Sequence, residues 1–118
     1  MATTKQACRD EVWQVNLNPT MGHEQSGLRP ALIVSADTFN HGPAELVIVL
    51  PITSVAKGIP FHVEVTPPEG GLTMRSFIKC EEVRSLSTVR LHKKLGDVSE
   101  DTIEKAEDRM KIVLQLHT

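Results

Sequence analysis

Aromatic side chains are almost missing from this chain. Trp13, Phe39, Phe61 and Phe77 supply all of them, and there is no tyrosine. A nucleic-acid surface built on base stacking, or an aromatic groove for proline-rich peptides, is therefore poorly supplied. Cysteine is also scarce. Cys8 and Cys80 stand too far apart for a C-x-x-C redox or zinc pair, and each is expected to be a buried or half-buried thiol. No apolar run approaches the ~20 residues of a membrane-spanning helix. The opening Met1-Ala2-Thr3-Thr4-Lys5 has no apolar secretion core, so a cytoplasmic protein without membrane contact is expected. HExxH, paired DxD carboxylates and clustered histidines or cysteines are absent as well, and neither a metal nor a cofactor is expected.

What is present is an ordinary globular composition, 40% apolar and 24% charged over 118 residues. That length predicts one domain over 1–118 with a modest core, and 1–9 as a flexible or peripheral segment. The formal charge of −2 hides an asymmetry. Between Arg75 and Lys94 six basic residues face only Glu81 and Glu82, whereas 97–118 holds six acids and three bases. A mildly acidic protein can still offer a local basic patch to phosphate.

Period-two alternation at Glu11–Leu17 predicts a half-buried strand with Trp13, Val15 and Leu17 on one face. Asn18-Pro19-Thr20 ends it. A loop of about ten residues follows, longer than a minimal hairpin, and such loops more often carry function. Pro30–Ser35 and Leu46–Leu50 are short apolar runs that predict buried strands, the second stopped by Pro51. Asp37–Pro43 between them is a turn with room for one helical turn. Phe61–Thr66 alternates as a half-exposed strand, and Pro67-Pro68-Glu69-Gly70-Gly71 is a loop. Leu72–Cys80 predicts another strand, with Met74, Ser76, Ile78 and Cys80 on one face. Val83, Leu86, Val89 and Leu91 mark short pieces of strand or 3₁₀ turn, and Lys93–Asp97 closes that region. Ser99 is a good N-cap, with Glu100 and Asp101 in the favoured first turn. Ile103, Ala106, Met110, Val113 and Leu114 then recur at helical spacing, which predicts an amphipathic helix of roughly 15 residues with Met110 as core filler. The plan is mainly β: a small antiparallel sheet with an amphipathic C-terminal helix packed on it.

Gly22-His23-Glu24-Gln25-Ser26-Gly27-Leu28-Arg29-Pro30 gathers an imidazole, an acid, an amide and a guanidinium between two apolar runs. This stretch resembles the loop after the first strand of the MazF/PemK-type toxins, ribosome-independent endoribonucleases related in fold to the CcdB gyrase poisons. Asp10–Thr20 resembles that family's opening strand, and Pro51-Ile52-Thr53-Ser54 its threonine-bearing segment. Lys57–Phe61 and Glu81–Leu86 also fit. The pieces run in order from residue 10 to about 116. Departures fall at Glu82, where glutamine is common, and at Ser85, where threonine is usual. The resemblance implies an SH3-like antiparallel β-barrel with a C-terminal helix, a homodimer, and a cognate antitoxin whose acidic C-terminal tail covers the RNA groove.

The reaction implied is metal-independent cleavage of single-stranded RNA, typically mRNA. The 2′-hydroxyl attacks the adjacent phosphorus, leaving a 2′,3′-cyclic phosphate and a 5′-hydroxyl. Arg29 and Thr53 are the implied phosphate-binding catalytic residues. A guanidinium grips two phosphate oxygens in a fixed geometry, and an arginine is a poor base, so Arg29 suits stabilisation of the transition state. Glu24 is a candidate base or a holder of Arg29, and His23 a candidate proton shuttle or RNA contact. Arg75, Lys79 and Arg84 are candidates for backbone phosphates. Asn18, Gln25 and Asn40 have amide edges suited to bases, although turn capping is the commoner use of such asparagines. Two rivals stay open. One is a CcdB-like DNA gyrase inhibitor without nuclease activity, the other a non-catalytic binding homologue. Arg29 and Thr53 in their expected contexts favour the nuclease.

Overall fold

The computed structural model describes residues 6–17 and 27–116. Seven strands form one antiparallel sheet: β1 Glu11–Asn16, β2 Leu28–Ile33, β3 Leu46–Thr53, β4 His62–Val65, β5 Ser76–Lys79, β6 Arg84–Ser87 and β7 Leu91–Asp97. The order is β4-β5-β3-β2-β1-β7, with β6 also paired to β3. Helix α1 (Asp37–Asn40) is the single turn expected between β2 and β3, and α2 (Glu100–Leu114) is the terminal helix.

Among the described residues the pairing does not close into a ring. β4 and β7 end the path, so the expected barrel is found as an open sheet. Its two flanks nonetheless meet. Gly71, at φ +69, lies against the Leu95 carbonyl, and a Cβ on Gly96 would fall 2.5 Å from Gly71 N. Only glycine on both sides permits backbone to approach backbone that closely.

The central strands are buried on both faces, which is why they read as continuous apolar runs. Val12, Leu32, Leu50, Ile52 and Ile78 pack with Ile103 and Ala106 of α2. Trp13, Val15, Ala31, Ile33, Val47 and Val49 form a second cluster with Leu86 and Leu91, and Leu17 packs against it. β1 is thus not half-buried, because Val12, assigned to the outer face, is 0% exposed.

Pro51 does not stop β3. On one side β3 pairs with β6 through Leu46–Val49 and with β5 through Ile52 and Thr53. Leu50 and Pro51 lie between the two partners, where a missing N–H is tolerated. Met74 leaves its expected face and is exposed, because β5 begins only at Ser76. Lys93–Asp97, expected to close that region, is part of strand β7, which holds to β1 across two irregularities in register. Ala7, inside the segment 1–9 expected to be flexible or peripheral, is buried in the second cluster. Arg9 donates to the Val34 carbonyl and pairs with Glu107 of α2.

The N-cap of α2 is the one expected. Ser99 Oγ accepts from Thr102 N at 3.2 Å, and Met110 packs on the core as filler. Cys80 is buried, and burial pushes its thiol up to about 12. Cys8 is half-buried and its thiol is also raised, chiefly by burial and then by Glu11. Neither thiol has the environment of a reactive cysteine. No helix among the described residues is long and apolar enough to cross a membrane.

Candidate nucleic-acid cleft

β1, β2 and β3 run side by side and end at one cleft of about 920 Å³. Arg29 and Thr53 both line it. β2 and β3 pair through Ala31↔Pro51, Leu32↔Leu50 and Ile33↔Val49. Arg29 and Thr53 each lie two residues beyond the outermost of these pairs, Ala31↔Pro51. The sheet therefore brings together two residues that the chain keeps far apart.

Arg29 is exposed, and its Nη1 donates to the neighbouring Leu28 carbonyl at 2.8 Å. No carboxylate pairs with it among the described residues. Thr53 Oγ1 accepts from Val55 N at 3.1 Å. That bond fixes the oxygen and leaves the hydroxyl hydrogen to be donated elsewhere. Leu17 N donates to the Gly27 carbonyl at 3.0 Å, and both residues line the cleft. Both attachment points of residues 18–26 therefore lie on its wall.

The lining has a one-sided charge. It holds Arg29, Lys79 and Lys93, and among the described residues no aspartate, glutamate or histidine. Lys79 Nζ, half-buried, is 3.2 Å from the exposed Glu82 Oε1, a partly exposed pair that leaves part of its charge to the cleft. Here Glu82 acts on Lys79 rather than standing in the cleft itself.

The other expected contacts separate. Asn40 is not available to a base. It is 4% exposed, its Oδ1 accepts from Ser35 Oγ, and its Nδ2 donates to the Ser35 carbonyl at 3.0 Å. Ser35 Oγ in turn accepts from Ile48 N at 2.9 Å, so the amide anchors the α1 turn to β3. Arg75 lies outside the cleft, bound to Glu64 through two bonds of 2.5 and 3.2 Å and stacked over Phe77 at 5.2 Å. Arg84 is exposed on β6 and is not part of the lining either. Glu24, His23, Gln25 and Asn18 lie outside the described residues.

Five polar lining residues were not singled out as site candidates from the sequence: Gln14, Ser54, Thr73, Ser76 and Lys93. Gln14 pairs across strands with Pro30 on one side and Lys93 on the other. The signal for Lys93 was its place in the basic run. Reading Lys93–Asp97 only as the close of that region left out the strand that carries it to β1. Among the described residues no three of His, Cys, Asp and Glu gather as a metal-holding group.

The family described as PemK-like, MazF-like toxin of type II toxin-antitoxin system matches residues 8–114. The chain belongs to that family. It is 35% identical over 113 residues to the endoribonuclease MazF9 of Mycobacterium tuberculosis, covering 92% of this chain and 96% of that protein. It resembles the solved structure of MazF from Deinococcus radiodurans with a TM-score of 0.80 at 28% identity, over 95% of this chain and 99% of that one. The MazE-MazF structure from the same organism matches with a TM-score of 0.79 at 29% identity, over 96% of this chain and 99% of that one. The MazF-like architecture is thus an open seven-stranded antiparallel sheet with a C-terminal helix in this chain.

Proposed function

We propose that this family member is the toxin of a type II toxin-antitoxin pair and a sequence-specific, ribosome-independent endoribonuclease. Its substrate is single-stranded RNA, typically mRNA, cut without a metal. The observation that carries the reading is a cleft lined by three cations and no described acid or imidazole, with both Arg29 and Thr53 in its lining. Such a lining attracts a polyanion.

The nucleophile is the substrate's own 2′-hydroxyl. Its oxygen bonds to the adjacent phosphorus as its proton leaves to a base. The bond to the 5′-oxygen breaks, and that oxygen takes up a proton, giving a 2′,3′-cyclic phosphate and a 5′-hydroxyl. Charge builds on the non-bridging oxygens between these events. Arg29 supplies two N–H donors to them, and Thr53 supplies its hydroxyl hydrogen. Glu24 is the candidate base or orienter of Arg29, with His23 as a proton shuttle. Their loop is anchored on the cleft wall through Leu17 and Gly27.

The reading includes a homodimer and an antitoxin. Ile112, Leu114 and Leu116 are exposed at the end of α2, which supports a surface that a partner covers. An acidic antitoxin tail would satisfy the same cations that RNA does.

The test is incubation of purified protein with a long unstructured RNA in excess EDTA, beside Arg29→Ala, with product ends mapped. Discrete cuts leaving 5′-hydroxyl and cyclic phosphate ends, lost in the variant, are expected. Intact RNA at high concentrations of folded protein would overturn the nuclease and leave a binding function such as gyrase inhibition.

A further inference from the structure

Lys93 and Gln14 are a cross-strand pair on the cleft wall, one strand removed from Arg29. We infer that they form a subsite for the nucleotide flanking the scissile phosphate, Lys93 holding its phosphate and Gln14 contacting its base edge. This rests on the RNA reading above and goes beyond it to two residues and their separate tasks.

The basic residues around the cleft differ in what holds them. Lys94, next to Lys93, sits 3.1 Å from Glu11 and 3.4 Å from Asp97. Lys79 has Glu82, and Arg75 has Glu64. Lys93 is exposed, lines the cleft, and pairs with no carboxylate among the described residues. It shares that condition with Arg29 inside the cleft. A strand that sets a bound lysine beside an unbound one, and turns the unbound one into a cleft with no acid among its described lining residues, leaves that charge for an anion.

Spacing separates the two tasks. β1 lies between β2 and β7, and neighbouring strands stand ~4.8 Å apart. The backbones at Arg29 and Lys93 are then about 10 Å apart. That separation suits neighbouring phosphates of one strand crossing β1. Gln14, on β1, pairs with Lys93 and with Pro30, the chain neighbour of Arg29. It is half-buried, and its side-chain amide makes no hydrogen bond among the described residues. An amide left open in a partly desolvated wall offers a donor and an acceptor together, the pattern that reads a base edge.

The experiment uses the full chain and an RNA oligonucleotide with a 2′-deoxy residue at the mapped cut site, so that it binds without being cut. Affinity is followed against salt for wild type, Lys93→Ala, Lys93→Arg and a remote control, Lys105→Ala. Lys93→Ala is expected to bind roughly tenfold more weakly at low salt, with a log–log salt slope shallower by about 0.7, the value of one single-strand phosphate contact. Lys93→Arg should restore the slope, and Lys105→Ala should match wild type. Gln14→Ala should keep the wild-type slope while relaxing base preference at one position beside the cut. An unchanged slope in folded Lys93→Ala, or an unchanged cut-site spectrum in Gln14→Ala, overturns the subsite while the nuclease stands. Wild-type protein that neither binds nor cuts RNA overturns both readings.

Discussion

At the start of α2, Glu69 Oε2 accepts from Ser99 N at 2.9 Å and from Thr102 Oγ1 at 2.5 Å, and Ser99 Oγ accepts from Thr102 N. Nearby, Arg9 ties the N-terminal segment to both Val34 and Glu107. In the cleft at the ends of β1–β3 the polar groups are treated oppositely. Arg29 bonds only its neighbour's carbonyl, Lys93 has no carboxylate, and Gln14 has no partner for its amide among the described residues. Closed polar networks hold a fold together. Open ones cost stability or nothing, and they persist where a ligand completes them. The contrast separates residues whose loss should unfold the protein from residues whose loss should only silence it.

The sharpest break in that contrast is Arg29→Ala. Removing a donor aimed at developing charge is expected to lower cleavage about 10²–10³-fold. Because Arg29 is exposed and, among the described residues, bonded only locally, the melting temperature should stay within a degree or so. A large drop in melting temperature would make Arg29 a structural residue instead. Thr53→Val keeps the shape and deletes the hydroxyl. Loss of one hydrogen bond to a charged group predicts roughly ten- to hundredfold slower cleavage. The cost in stability should be small, since the hydroxyl's one described bond is to Val55 N. Measured rates equal to wild type would remove Thr53 from the chemistry. Ser99→Ala belongs to the closed region and should invert the pattern. Stability should fall by about 0.5–2 kcal/mol in urea unfolding, with cleavage per folded molecule unchanged.

Much of the closed region was legible in the chain. Ser99 followed by acids and a 3.6-residue apolar period gave the helix and its cap, and Pro30–Ser35 and Leu46–Leu50 gave buried strands. Those features are local, and local pattern is what a sequence displays. The pairing that makes the cleft is not local. Nothing in Lys93-Lys94-Leu95-Gly96-Asp97 favours a strand by propensity, and it becomes one because β1 is there to pair with. Asn40 misled for the opposite reason. Its amide is spent on Ser35 five residues earlier, an ordinary capping role that composition cannot separate from base recognition. Arg29 and Thr53 were reached through family resemblance, and both line the cleft.

The smallest effect sharpens the closed side alone. Burial pushes the Glu69 carboxyl upward, but hydrogen bonds from Thr102 and Ser99 outweigh it and leave the group below its ordinary value. Burial likewise raises Glu81, and the 2.9 Å contact with His62 brings it below the usual range. A carboxyl whose folded pKa is depressed contributes stability that is full above its unfolded value, about 4.3. That stability is lost as pH falls through the folded value, since the unfolded chain then binds more protons. Urea unfolding from about pH 6 down to about pH 3 should therefore show wild type losing stability across the lower half of the range. Glu69→Gln should start less stable at the upper end and converge on wild type at the lower, because protonation has by then removed the same charge. Glu81→Gln should converge in the same way from a smaller initial gap, since Glu81 Oε1 already lacks a partner. A gap that stays constant with pH would mean that the carboxylate's shape, and not its charge, holds the start of α2 in place.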